Sequence, residues 1–250
     1  MPDGKLLKTV VPMKPAAPRP GGRVGGCAAC AVRGLTVCAP LNPAGLAEVE
    51  GLSIQLALAP GDQLFDEGEA ADHVFNVTEG TLKIFKLLPD GRRQVTGFLF
   101  AGDFLGLASQ ETYAYSAEAV TPVRLCRFQR RQLDGLLGRH PEMERRLLSK
   151  ASHELAEAQE QMLLLGRKTA KERVASFLLL LSRRAHQRGI AADPVAVPMS
   201  RTDIADYLGL TTETVSRTVT RLKGEGLIRL LPGGKVGLAD RAALEAIAAG

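Results

Sequence analysis

The stretch that most constrains this chain is 200–222, SRTDIADYLGLTTETVSRTVTRL. Ser200 followed three residues later by Asp203 makes a capping-box-like helix start, an oxygen acceptor answered by a carboxylate. Ile204, Ala205 and Leu208 recur at helical spacing and give one apolar face. Gly209 supplies the unrestricted backbone that a tight inter-helix turn needs. Thr211 suits the N-cap of a second helix, with Val215 and Val219 inward and Glu213, Ser216, Arg217 and Arg221 outward. Two short helices joined this way read as a helix-turn-helix, whose second helix enters the DNA major groove. An ordinary helical hairpin inside a core would use the same small, turn-forming and β-branched positions.

The charge pattern bears on that choice. Net charge is +5, and residues 167–250 hold 14 Lys/Arg against 8 Asp/Glu, whereas residues 27–166 hold 13 against 18. A basic C-terminal third fits a phosphate-backbone partner. With 250 residues, one large or two modest domains can each bury a core. No run of 18 apolar residues is present, and the N-terminus has no continuous apolar h-region, so the expectation is a cytoplasmic protein without a membrane partner. No nucleophile–base motif or Walker-type glycine loop stands out, and His73, His140, His153 and His186 are scattered, so an enzyme is not expected.

Residues 1–26 are rich in Pro, Gly and basic side chains and predict a mobile arm. Residues 27–40, CAACAVRGLTVCAP, read as a loop carrying three thiols, and 43–50 as a short helix. From about residue 53 to 128, short β-rich runs alternate with Gly-centred turns every 10–12 residues. That rhythm predicts an antiparallel barrel or jelly roll, with a hairpin at Asp90-Gly91. Residues 140–166 predict a helix whose Leu148, Ala151, Leu155, Ala158, Met162 and Leu165 form a heptad seam, read here as a parallel homodimer contact rather than packing against the barrel. The small Ala151 and Ala158, with Glu154, Glu157 and Glu160 beside them, make that seam weak. A further helix over 169–188, the helix-turn-helix, a wing turning at Gly233-Gly234 and a closing helix over 242–248 complete the chain. The fold class is therefore α+β: a basic arm (1–26), a cysteine loop and β-roll sensor (27–139), a dimerisation helix (140–166) and a winged helix-turn-helix (167–250).

This order of parts resembles the Crp–Fnr superfamily of transcription regulators. The segments QVTGFLFAGDFLG (94–106), QMLLLGRKTAKERVASFLLLLSRRAHQRG (161–189) and RTDIADYLGLTTETVSRTVTRL (201–222) look specifically like its FNR (fumarate and nitrate reduction regulator) branch. The cyclic-nucleotide branch carries a Glu and an Arg-Ser pair in its phosphate cassette, since an anionic phosphate needs a guanidinium. Here Gly106-Leu107-Ala108 and Tyr115-Ser116 supply neither charge, so no cyclic nucleotide is expected.

The resemblance implies an oxygen-sensing homodimer that carries a 4Fe–4S cluster, binds double-stranded DNA, works with RNA polymerase and controls anaerobic genes as an activator. Its ligands would be Cys27, Cys30, Cys38 and Cys126, three N-terminal thiols and one central one. Cys30 and Cys38 stand further apart than in the best-known members. Oxygen would act on the cluster, loosen its packing against the dimer helix and let the weak seam part. Glu213, Ser216 and Arg217 match the branch's E-x-x-S-R pattern, with Thr212 where the cyclic-AMP receptor branch has Arg, implying an inverted repeat TTGAT-N4-ATCAA. Arg201, Thr211, Arg221 and Lys223 are candidate phosphate contacts or solvated surface. Four thiolates also suit zinc or a thiol switch, and a regulator gated by haem or another small molecule in the β-roll is the alternative.

Overall fold

The computed structural model describes residues 19–20, 26–107 and 111–250. The expected mobile arm thus lies almost wholly outside the described residues. Within it, Arg19–Pro20 forms a strand, β1, paired antiparallel with Ala57 and Leu56. Proline has no N–H to donate to an inner ladder, and β1 is accordingly an edge strand. The cysteine loop contains two 3₁₀ turns, Cys27–Ala29 and Arg33–Leu35. Helix α1 (Pro43–Leu52) starts where the Asn42 side chain accepts from the Gly45 N–H, with proline in the first turn.

Eight strands follow: β2 (Ser53–Leu58), β3 (Gln63–Phe65), β4 (His73–Glu79), β5 (Thr81–Leu87), β6 (Arg93–Phe100), β7 (Phe104–Leu105), β8 (Ser116–Ala119) and β9 (Val123–Gln129). They form two antiparallel sheets, ordered β1-β2-β9-β4-β7 and β3-β8-β5-β6. Leu56, Phe65, Val77, Leu82, Leu99 and Leu125 fill the space between them. The β5–β6 hairpin turns where Asp90-Gly91 was expected to turn it.

Cys126 lies on β9, the final strand of the roll. Between that strand and the long helix stands α2 (Arg130–Arg139), a helix additional to those expected, which buries Leu133 and Leu136. Proline then restarts the chain as α3 (Pro141–Arg167). Helix α4 (Ala170–Gln187) opens with a capping box between Thr169 and Glu172. Next come β10 (Val195–Ala196), α5 (Arg201–Leu208), α6 (Thr212–Gly224), β11 (Arg229–Leu231), β12 (Lys235–Gly237) and α7 (Arg241–Ala249). The wing is a three-stranded sheet, β10-β12-β11, rather than a bare hairpin.

The C-terminal helices do not stand apart from the roll. One apolar core runs from Val174, Phe177, Leu208, Val215 and Leu222 into Phe85, Val95, Phe98 and Phe100 of the β5–β6 hairpin. Beneath the cysteine loop a second, smaller core joins Val37, Cys38 and Leu41 to Leu46 and Val49 of α1, Phe128 of β9, Leu136 of α2 and Met143 of α3. The start of the long helix is therefore packed into the same cluster as a thiol.

Candidate functional site

Cys27, Cys30, Cys38 and Cys126 line a single cavity of about 410 Å³ between the cysteine loop and the sheet. The fold brings them together from two directions. The Cys27 N–H donates to Glu50 of α1 at 3.1 Å, and the Cys38 N–H donates to the Thr36 hydroxyl at 3.2 Å. Cys126 is carried by β9 between β2 and β4, opposite Gln55 and Asn76. Burial pushes the Cys38 thiol up to about 11 and the Cys126 thiol up to about 12, and the neighbouring cysteines add to both shifts. As thiols they are inert; binding metal would displace their protons.

Which metal group such a wall suits is a question of spacing. A single zinc ion needs its thiolates about 2.3 Å from one point. Among the described residues no three His, Cys, Asp or Glu side chains converge that way. Four thiols lining one cavity are nonetheless a donor set of the kind that zinc or an iron–sulfur group takes. Asn76 adds a detail that sequence reasoning missed. It is buried, its Nδ2 donates to Cys38 Sγ at 3.8 Å, and its Oδ1 has no partner among the described residues.

The loop is tied to α3 by more than Met143. Arg146 donates to the Gly34 carbonyl at 3.4 Å, and Lys150 donates to the Gly102 carbonyl at 2.8 Å. Gly102 has φ +98, and a Cβ there would lie 2.6 Å from Leu35 Cβ, so only glycine admits this contact. The adjoining Asp103 faces Arg184 of α4, which also holds Glu157 of α3 and donates to the Phe98 carbonyl at 2.7 Å. Cysteine loop, long helix and C-terminal helices thus share one set of contacts.

In the second region, Gly209 takes the left-handed conformation (φ +60) between α5 and α6. Thr211 accepts from the Thr214 N–H and caps α6. Val215, Thr218, Val219 and Leu222 are buried, while Thr212, Glu213, Ser216, Arg217, Arg221 and Lys223 face outward. Glu213 and Arg217 lie 3.4 Å apart, both largely exposed, and Arg221 pairs with Glu225. Arg201 is half-buried at the start of α5.

Asp203 performs two tasks, only one of them legible locally. Its Oδ2 accepts from Ser200 in the expected capping box, while its Oδ1 receives Lys83 at 2.8 Å and Arg93 at 3.0 Å from the β-roll. Burial alone would raise its pKa. Hydrogen bonds from Lys83 and Ser200, with the charges of Lys83 and Arg93, outweigh that and hold the carboxyl below the usual range. Along α3, Leu148, Leu155 and Met162 are 67%, 61% and 68% exposed, with Ala158 open and Ala151 half-buried between them. Leu165 departs from the expected seam. It packs against the C-terminal core, where a Cβ on Gly209 would meet it at 3.1 Å.

Comparison with known proteins decides the family. The Crp-like helix-turn-helix domain matches residues 172–247 and the cyclic nucleotide-binding domain residues 55–140. The chain is 46% identical over 221 residues to the transcriptional activatory protein AadR of Rhodopseudomonas palustris, covering 88% of this chain and 92% of that one. It belongs to the Crp/Fnr family of transcription regulators, in its FNR-type branch. The transcriptional activator protein FnrL of Cereibacter sphaeroides is 38% identical, over 82% of this chain and 84% of FnrL. The structure of FixK2 from Bradyrhizobium japonicum superposes with a TM-score of 0.73 at 37% identity, over 78% of this chain and 96% of FixK2. Regulators of this family bind DNA as dimers. Among the described residues no helix is long and apolar enough to cross a membrane.

Proposed function

We propose that this Crp/Fnr regulator is a cytoplasmic, oxygen-responsive activator holding a 4Fe–4S cluster on Cys27, Cys30, Cys38 and Cys126. The observation that carries the reading is the shared cavity: four thiols, one of them 88 residues beyond its nearest fellow in sequence, line one wall-to-wall space of about 410 Å³. When bound, the cluster supplies an oxygen-sensitive cross-link between the loop and β9. The chain's own groups do the rest. Cys38 and Met143 share a core, so order in the loop is order at the start of α3. Arg146 and Lys150 extend that hold along the next turns of α3, which leads into the ridge of Leu148, Leu155 and Met162. Losing the loop's anchorage loosens the face on which two copies pair, and paired copies are needed to place two recognition helices on one palindrome.

The DNA reading follows from α6. Arg217 offers two donors to guanine O6 and N7, Glu213 accepts from cytosine N4 and Ser216 approaches thymine, on an inverted repeat of the form TTGAT-N4-ATCAA. In this reading Arg201, Thr211, Arg221 and Lys223 meet phosphates, Thr212 stands beside Glu213 at the DNA, and RNA polymerase is the partner of the DNA-bound dimer. A cyclic nucleotide is not its effector. At the corresponding turn the Gly106 N–H is already engaged by the Tyr115 hydroxyl at 3.3 Å, and its carbonyl accepts from Arg130 at 2.6 Å.

The test is elemental. Protein purified without oxygen is expected to carry about four irons and four sulfides per chain and a visible absorption band that bleaches in air. Stoichiometric zinc, or no metal, would contradict the sensor while leaving the DNA-binding half intact.

A further inference from the structure

Asn76 stands at the centre of β4 and is 2% exposed. It is paired in register with Cys126 across the β4–β9 ladder, and its Nδ2 donates to Cys38 Sγ at 3.8 Å. One side chain therefore links the remote thiol's strand to the N-terminal loop. Its Oδ1 is buried with no partner among the described residues, an arrangement that costs stability and that the sheet does not require. Val74, two residues away on the same face of β4, belongs to the apolar core beneath the cysteine loop, and an apolar side chain at 76 would leave no orphaned oxygen. Asn76 lines the cavity with the four cysteines, facing sulfur.

We propose that Asn76 is a positioning residue for the cluster, holding Cys38 toward the cavity and donating an N–H to its sulfur once it is a ligand. The inference rests on the cluster reading above. A ligating thiolate carries negative charge into a wall built partly from Val49 and Phe128, where the Thr36 side chain and the Asn76 amide are the polar groups that bond Cys38. An N–H···S bond withdraws part of that charge, secures the ligand and raises the reduction potential of the group it holds. The amide suits this task in one orientation only, since its oxygen would repel an anionic sulfur. A carboxylate would repel it from both atoms.

Wild type, Asn76→Ala, Asn76→Ser and Asn76→Asp are loaded with iron and sulfide without oxygen, then challenged with an iron chelator while the visible band is followed. The metal-free proteins are melted in parallel. The metal-free Asn76→Ala protein is expected to melt close to wild type, because the lost amide leaves no new unpaired group. Its cluster is expected to be released about 10-fold faster. Asn76→Ser, which keeps a short donor, falls between, and Asn76→Asp releases fastest. Release from the folded Ala and Asp proteins at the wild-type rate would overturn the inference and leave the cluster standing. A wild type that takes up no iron and sulfide would overturn the proposed function and this inference together.

Discussion

The helix-turn-helix and the cysteine cavity are built on opposite principles. The reading half is finished without a guest. Leu208, Val215 and Leu222 are fully buried, α5 and α6 are both capped by side chains, and α5 is pinned to the roll by Lys83 and Arg93. The cysteine region keeps a cavity of about 410 Å³, raised thiols and an orphaned amide oxygen. In the proposed function, the cysteine half changes state by gaining or losing its cluster without rebuilding the DNA-reading surface. The contacts of α3 with Gly34 and Gly102 are where the conditional half reaches the rest.

The sharpest way to separate the halves is Cys126→Ser. It is expected to reduce bound iron from about four per chain to nearly none and to abolish anaerobic binding to the palindrome, with the far-ultraviolet circular dichroism unchanged. Loss of secondary structure would mean that Cys126 is a core residue instead. Lys83→Met attacks the finished half, leaving Asp203 buried with a diminished partner set. It should cost about 3 kcal/mol in urea unfolding while iron uptake persists. Leu155→Ala on the exposed ridge should weaken dimerisation by roughly 1.5–3 kcal/mol per side chain buried, read by sedimentation, with monomer stability unchanged. Arg217→Ala should lose about 1–3 kcal/mol on the palindrome and relax discrimination at its guanine; equal loss on every sequence would make it a phosphate contact.

The smallest effect is one of pH. The Asp203 carboxyl is held below the usual range, so its contribution is present above the ordinary carboxylate pKa of about 4 and is lost as pH falls through its depressed value. Acid titration of the unfolding midpoint should show this loss in wild type, and the Lys83→Met protein should lose less.

Where local pattern decides structure, the chain was readable. The capping box at Ser200, the turn at Gly209, the inward Val215 and Val219 and the Asp90-Gly91 hairpin all follow from spacing and backbone freedom. The cysteines were legible as a set, although only the fold places Cys126 beside the other three. Lys83 was not readable. Strand alternation marks an outer face only where that face meets water, and here the C-terminal helices cover it, so a lysine in TLKIFKL is 5% exposed. Asn76 was hidden for the same reason, since its partners come from 38 residues upstream and 50 downstream. Leu165 kept the heptad spacing, but the nearby Gly209 turn claims it for another core.

The most direct measurement is sedimentation of one oxygen-free sample on the TTGAT-N4-ATCAA duplex, with the visible spectrum recorded before and after a pulse of air. The account predicts a DNA-bound dimer that gives way to free monomer as the absorption band bleaches, while Cys38→Ala is monomeric and unbound throughout. A dimer that stays on the duplex after the band has bleached would contradict it.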